Sequence, residues 1–214
     1  MKVTLVDYPR FADYKAYCSA RVCYSDKGFI DIWEETPMTT PSHENVNDDK
    51  ALLLLKGLVE KGHGSVLEHC CFTFSIEGIS RACSHQLVRH RIASYSQQSQ
   101  RYVSGEKFWF VTPKEIGDKS LLREMYIEYM EQTTNFYKFL VESGIKKEDA
   151  RYILPNATTT NIVVTMNARE LLHFIELRTN PRSQWEIREL AKEMLRQLKE
   201  VAPVIFGNLE LKEE

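Results

Sequence analysis

The chain has 214 residues, 43% of them hydrophobic, and a formal net charge of −2, which suits a soluble globular protein with enough apolar content to fold unaided. A mildly acidic chain does not hold a long nucleic acid through its overall field, so an anionic partner has to be met by a local cluster of cations. The longest aliphatic run, Ala51 to Leu55, is too short to span a bilayer, and Met1 leads into strand-like sequence with no signal-peptide pattern, so a cytoplasmic location is expected.

In chain order, "KVTLVDY" reads as a strand and "YPRFADYKAYCSARVCYS" as a helix by its spacing of apolar and small residues. Residues 27–44, with two prolines and several threonines, read as a loop insertion. "NVNDDKALLLLKGLVEKGHG" predicts a helix with asparagine and aspartate at its start and glycines at its end, and "HCCFTFSIEG" predicts a strand. "ISRACSHQLVRHR" predicts a short helix ending in basic residues, where its dipole favours them, and "ASYSQQSQRYV" an extended segment. "KFWFVTP" predicts a strand, Leu121 to Gly144 a long amphipathic helix, and "KEDARYILP" a short helix stopped by Pro155. "TTTNIVVTMN" is β-branched and strand-like, while "ARELLHFIELR" and "QWEIRELAKEMLRQLKEVAP" are helical. Strands and helices without regular β-α-β alternation predict an α+β fold with a mixed or antiparallel sheet packed with helices, as a single domain over 1–214.

Five cysteines are an odd number and form no C-x-x-C, so they are expected to be reduced, small, buried hydrophobes. His63 and His69 in "GHGSVLEHCC" do not match a zinc-ligand spacing, and no metal is predicted. With nine glycines and no glycine-rich nucleotide fingerprint, bound phosphates would fall to side chains.

The arginines are the candidates. From Gly78 to Gly105 there is no aspartate or glutamate, yet the window holds Arg81, His85, Arg89, His90, Arg91 and Arg101. A solvated basic face is the plain reading of such a run, but arginines without carboxylate neighbours among serines, glutamines and tyrosines suit an external anion. If "YSQQSQR" is extended, Tyr95, Gln97, Ser99 and Arg101 share one face, offering an amide, a hydroxyl and a guanidinium to a base and a phosphate. If Arg89, His90 and Arg91 are helical they fan out by about 100° each, so one tripeptide could serve two ligands. Two other classes also fit arginines beside tyrosines: an RNA module stacking bases on Tyr95 and Tyr102, and a nucleotide sensor without activity.

Arg89-His90-Arg91, seven residues and then Ser99 resembles the signature of the flavin-dependent thymidylate synthases. The similarity extends to "KGHGSVLEHCCFTFSIEG", "SQRY", "NARELLHFIELR" and "QWEIRELA", from about Lys61 to Ala191. The resemblance implies reductive methylation of dUMP to dTMP, with 5,10-methylenetetrahydrofolate as carbon donor, FAD as tightly bound hydride carrier and NADPH as reductant. It also implies a homotetramer with shared active sites. Arg178 matches the catalytic arginine beside the pyrimidine. Gln86, Arg89, Gln97, Gln98, Ser99, Gln100, Arg101, Arg151 and Arg178 match dUMP-binding positions. His63, Ser65, Arg89, His90, Arg91, Gln97, Asn167, Arg169 and His173 match flavin-contacting positions. Ser99 is expected to position substrate, since no base is evident to make it a nucleophile. The chain departs from some relatives at Gln97, at Pro181 and Arg182, and along 27–44.

Overall fold

Alternation along Lys2–Asp7 gives the first strand, β1, and the small and apolar side of Ala12–Val22 gives α1. The computed structural model describes residues 1–38, 49–102 and 109–210. The stretch read as a loop insertion, 27–44, is partly helical: α2 spans Phe29–Glu35. Its start is fixed by the Gly28 N–H donating to the Asp31 carboxylate at 3.2 Å, and Phe29 and Trp33, one turn apart, stack with ring centroids 5.7 Å apart. Seven residues carry too little periodicity to show beside flanking prolines and threonines. Residues 39–44 of that stretch lie outside the described residues.

Helix α3, Lys50–Glu60, is capped by Asp49, whose carboxylate accepts from the Ala51 and Leu52 amides at 2.8 and 3.3 Å. It stops at Gly62, whose φ of +77° a residue with a Cβ adopts only at a cost. A 3-10 turn over Gly64–His69 leads to β2, Cys71–Ser80. Ser80 caps α4, Arg81–Leu87, by accepting from the Cys83 amide at 2.9 Å. The basic tripeptide 89–91 therefore follows the helix instead of ending it.

Strand β3 covers only Ala93–Gln97. The expected alternation breaks there because the Ser99 hydroxyl accepts from the Arg101 amide at 3.2 Å and turns the chain. Tyr95 and Gln97 share a strand face, while Ser99 and Arg101 belong to the turn. In the described part of "KFWFVTP", Phe110 makes an isolated antiparallel bridge with Thr158 before Pro113, which has no amide to donate, and α5, Lys114–Gly117, follows. Residues 107 and 108 lie outside the described residues. Then come α6, Ser120–Glu142, and α7, Lys147–Ala150, which passes into a 3-10 turn over Arg151–Ile153. The chain ends with β4, Thr159–Asn167, α8, Ala168–Arg178, α9, Trp185–Val201, and α10, Pro203–Phe206.

The sheet has the order β1-β2-β4-β3. Strands β2 and β4 pair antiparallel, with the Thr73 and Thr165 hydroxyls 2.9 Å apart and the Gly78 amide donating to the Asn161 side chain at 3.1 Å. The fold is α+β, as expected. The chain divides into two compact units: Met1–Lys2, Ile76–Arg89 and Ser96–Ile162 form one, and Val3–Ser75, His90–Tyr95 and Val163–Glu214 the other. In the first, Ile79, Cys83, Leu87 and Ile162 are buried. In the second, β2 and β4 contribute Phe72, Phe74, Val164 and Met166, and α9 adds Ile187, Leu190, Met194 and Leu198 at helical spacing. Each such side chain contributes about 1.5–3 kcal/mol by leaving water. Among the described residues no helix is long and apolar enough to cross a membrane.

Burial separates the cysteines. Cys18, Cys70 and Cys83 are buried as expected, whereas Cys23 and Cys71 are exposed. Burial pushes the Cys70 thiol up to about 12, so it stays protonated and unreactive.

Asp13 is fully buried and accepts from the Val204 and Ile205 amides at 3.1 Å each, tying α1 to the start of α10. Burial raises its pKa from 3.8 to about 7, more than the two amides lower it. Because the folded value is the higher one, the stabilising contribution is complete below pH 3.8 and is lost as the pH rises through about 7. That shift corresponds to a loss on the order of 4 kcal/mol. Urea titrations of wild type and Asp13→Asn from pH 4 to 8 are expected to give a difference curve with this slope, and a flat one would refute it.

Candidate active site

In the first unit, α4 is anchored beside β4 by the Arg81 amide donating to the Thr158 carbonyl at 3.0 Å and the Ala82 amide to the Asn156 carbonyl at 3.1 Å. This anchoring fixes the partners of Gln97. Ser84 Oγ gives its one hydrogen to the Arg81 carbonyl at 2.9 Å, so it can only accept from its other neighbour. Gln97 Nε2 supplies that hydrogen at 3.0 Å and reaches Thr160 Oγ1 at 3.2 Å. The amide is thereby oriented, with Oε1 left as an acceptor.

The acid-free window gains a carboxylate from elsewhere. Arg101 donates through Nε and a terminal nitrogen to Glu148 Oε2, at 3.1 and 2.8 Å, and its guanidinium lies 5.5 Å from the Tyr102 ring centroid. Arg151 Nε donates to the Glu148 backbone carbonyl at 3.1 Å. Burial, and then the Arg151 cation, lower the Arg81 pKa, a sign of like charges held close. Glu148 gives its carboxylate to Arg101 and only its backbone carbonyl to Arg151, so a bound dianion would relieve the cluster. Gln86, Gln98, Ser99 and Gln100 lie in the same unit, as does Arg89, its last residue before His90.

The second unit holds His63, Ser65, His90, Arg91, Asn167, Arg169, His173 and Arg178. Asn167 caps α8 by accepting from the Glu170 amide at 2.9 Å. Arg169 lies along the 3-10 turn and pairs with Glu68 at 2.6 Å. Gly64 leaves room for it, since a Cβ there would sit 2.9 Å from Arg169 Nε. His63, Ser65, Arg91 and His173 are exposed.

His90 is placed differently from the expectation that it faces the flavin. It is 4% exposed, with Nδ1 3.0 Å from Glu170 Oε1 and Nε2 accepting from Arg178 Nε at 3.1 Å. Its ring meets Phe174 edge-on at 4.9 Å, and Tyr95 donates its hydroxyl hydrogen to the His90 carbonyl at 2.8 Å. Burial, together with Glu170, raises the Tyr95 pKa, which keeps that donor protonated. Among the described residues no group of three or more His, Cys, Asp and Glu side chains is arranged to hold a metal ion.

The sequence pattern of the family described as thymidylate synthase complementing protein matches residues 4–204. A flavin-dependent thymidylate synthase from Geobacter sulfurreducens is 47% identical over 208 residues, covering 96% of this chain and 85% of that protein. One from Pyrococcus abyssi is 45% identical, covering 96% and 83%. The chain belongs to the flavin-dependent thymidylate synthase family. A crystal structure of a UMP/dUMP methylase, PolB from Streptomyces cacaoi, bound with 5-Br dUMP, is similar with a TM-score of 0.79 and 25% identity, covering 96% of this chain and 93% of that one.

Within a flavin-dependent thymidylate synthase, the groups missed by sequence reasoning are those that hold others in place. Ser84 and Thr160 orient Gln97, Glu148 holds Arg101, and Glu170 holds His90. Glu170 sits in the first turn of α8, where an acidic residue reads as complementing the helix dipole. The spacing 170, 174, 178 on one helix face was the available signal, and many solvated helices share it.

Proposed function

We propose that this protein makes dTMP by reductive methylation of dUMP, with 5,10-methylenetetrahydrofolate as carbon donor and NADPH as reductant, in de novo dTMP synthesis. The observation that carries this reading is the oriented Gln97 amide in one unit with Arg81, Arg101 and Arg151. A base edge needs a fixed hydrogen-bonding partner, and a nucleotide phosphate needs cations in surplus.

The second unit's donors fit FAD. Exposed His63, Ser65, Arg91, Arg169 and His173 suit a dinucleotide's phosphates and hydroxyls, and Gly64 lets Arg169 lie close to the turn that carries His63 and Ser65. Bound to these residues, FAD would supply the redox chemistry that links NADPH oxidation to reduction of the transferred carbon. Asn167, Arg89 and Gln97 complete the set proposed to contact it. The chain's own task is to bind and polarise the pyrimidine. Arg178 places a fixed cation where negative charge develops at N3, which makes carbon 5 nucleophilic; such a preorganised charge is worth several kcal/mol. Arg101 leaves Glu148 for the substrate phosphate, and Arg151, Gln86, Arg89, Gln98, Ser99 and Gln100 complete the nucleotide contacts.

The visible spectrum tests the reading. Purified protein should show oxidised flavin that bleaches with NADPH, and should convert dUMP to dTMP when the folate is supplied; a colourless protein that cannot be reconstituted with FAD sinks it. Ser99→Ala is expected to weaken dUMP binding about tenfold through loss of the turn at Arg101, one hydrogen bond's worth, with turnover still measurable. Abolished turnover at unchanged dUMP affinity would instead make Ser99 a nucleophile.

Residues 1–214 are proposed as one domain of this family, because the family match runs through both units. A homotetramer with shared active sites is proposed on the outer face of α6, where Leu122, Met125, Tyr129, Phe136 and Phe139 are exposed at alternating three- and four-residue steps broken by Gln132. That is the spacing of a helix seam awaiting a partner. Mass photometry should give four chains for wild type and fewer for Met125→Glu; a single-chain mass for wild type at micromolar concentration overturns the proposal. A cytoplasmic location is proposed, since five cysteines, an odd number with no C-x-x-C, suit a reducing compartment.

A further inference from the structure

His90 and Glu170, 4% and 8% exposed, spend their polar atoms inside the protein. A guanidinium has hydrogens on every nitrogen and no lone pair to offer, so the 3.1 Å contact between Arg178 Nε and His90 Nε2 runs one way: Arg178 donates and Nε2 accepts. A neutral ring with Nε2 bare carries its hydrogen on Nδ1, and Nδ1 is 3.0 Å from Glu170 Oε1. The carboxylate therefore selects the tautomer that leaves a lone pair for Arg178. The opposite tautomer would set Nε2–H against Nε–H and push the guanidinium away.

Among the described residues, the charged and titratable groups around His90 are Glu170, Arg178, His173, with ring centroids 5.7 Å apart, and Tyr95, which donates to its backbone carbonyl. Burial lowers the His90 pKa from 6.5 by more than the Glu170 hydrogen bond raises it, and the Arg178 cation lowers it further, so the ring is neutral, as an acceptor must be. We infer that Glu170 is a positioning residue: it holds the His90 proton on Nδ1, so that Nε2 accepts from Arg178 and fixes the direction of its guanidinium. Glu170, Phe174 and Arg178 lie on successive turns of one face of α8, and His90 enters that face from the turn before β3. The inference rests on the role proposed above for Arg178.

The test is Glu170→Gln, read in two independent ways. Nitrogen NMR of protein labelled at its six histidines, with the His90 signal assigned by its loss in His90→Gln, should show a neutral Nδ1–H tautomer in wild type and a tautomer mixture in E170Q. This readout needs no turnover, so it stands even if the protein makes no dTMP. In the activity assay, E170Q should keep its flavin and KM for dUMP while kcat falls about 10- to 100-fold, as when a group orienting a functional histidine is lost. If E170Q does not fold, Glu170→Asp keeps the charge at shorter reach and should give an intermediate kcat and a smaller tautomer shift. An unchanged His90 tautomer in the variant, or wild-type kcat per bound flavin, overturns the inference. A lowered melting temperature with both readouts unmoved also overturns it and leaves Glu170 a packing residue.

Discussion

Arg178→Ala is expected to lower kcat for dTMP formation by about 10²- to 10³-fold while the flavin stays bound, the loss typical of removing one preorganised donor at a site of developing charge. Arg178 is the last residue of α8, half-buried, with its Nε committed to His90 Nε2. An arginine at a helix end commonly caps carbonyls or lies in water, where alanine costs little. Here the guanidinium is aimed by a histidine that a carboxylate aims in turn, a degree of constraint that a capping role does not require. Arg178→Lys keeps the charge but replaces the planar fork with a mobile ammonium, and should recover only part of the rate. Near-normal turnover in Arg178→Ala, with flavin content matched, would remove Arg178 from the chemistry.

The elements read most clearly were those with long, consistent patterns. The strand over Cys71–Ser80 and the helix over Trp185–Val201 show their period in sequence because each buries one face along its length, and the helix over Ser120–Glu142 shows one because apolar residues recur along it, although only Met130 and Tyr137 are buried. Short elements escaped notice. Helix α2 has seven residues, and β3 ends after five because a serine hydroxyl captures the Arg101 amide. The site divides along the same line. Side chains that end in a cation or an amide within a distinctive local run, such as Gln97, Arg101 and Arg169, stand out in sequence as candidates. Their partners do not, because Glu148 is 47 residues from Arg101 and Glu170 is 80 from His90. An arginine without a nearby acid in sequence is therefore not an arginine without one in space. His90 illustrates the converse: the signature histidine occupies the expected place in the chain, but its ring faces inward, toward two groups that no local spacing could single out.

Gln97→Leu is expected to lower kcat/KM for dUMP by about 10²-fold or more, since a site built to hydrogen-bond its substrate loses far more than one contact when its polar group is removed. The substitution has two separable consequences. It deletes Oε1, the acceptor proposed to face the base, and it strips Ser84 and Thr160, 0% and 3% exposed, of the hydrogens that Nε2 supplied. Leaving two buried oxygens without donors costs about 1–3 kcal/mol each, so some loss of stability is expected alongside the loss of rate. Gln97→Glu separates the two. Its shape is conserved and it still presents an oxygen to the base, but Ser84 must then turn its hydrogen away from the Arg81 carbonyl to meet the carboxylate. The glutamate variant should therefore keep more activity than the leucine variant at comparable stability. Should leucine and glutamate variants fall equally in kcat/KM, Gln97 acts by packing α4 against β4 and reads nothing of the base; should neither fall, the nucleotide assignment for this cluster fails with it.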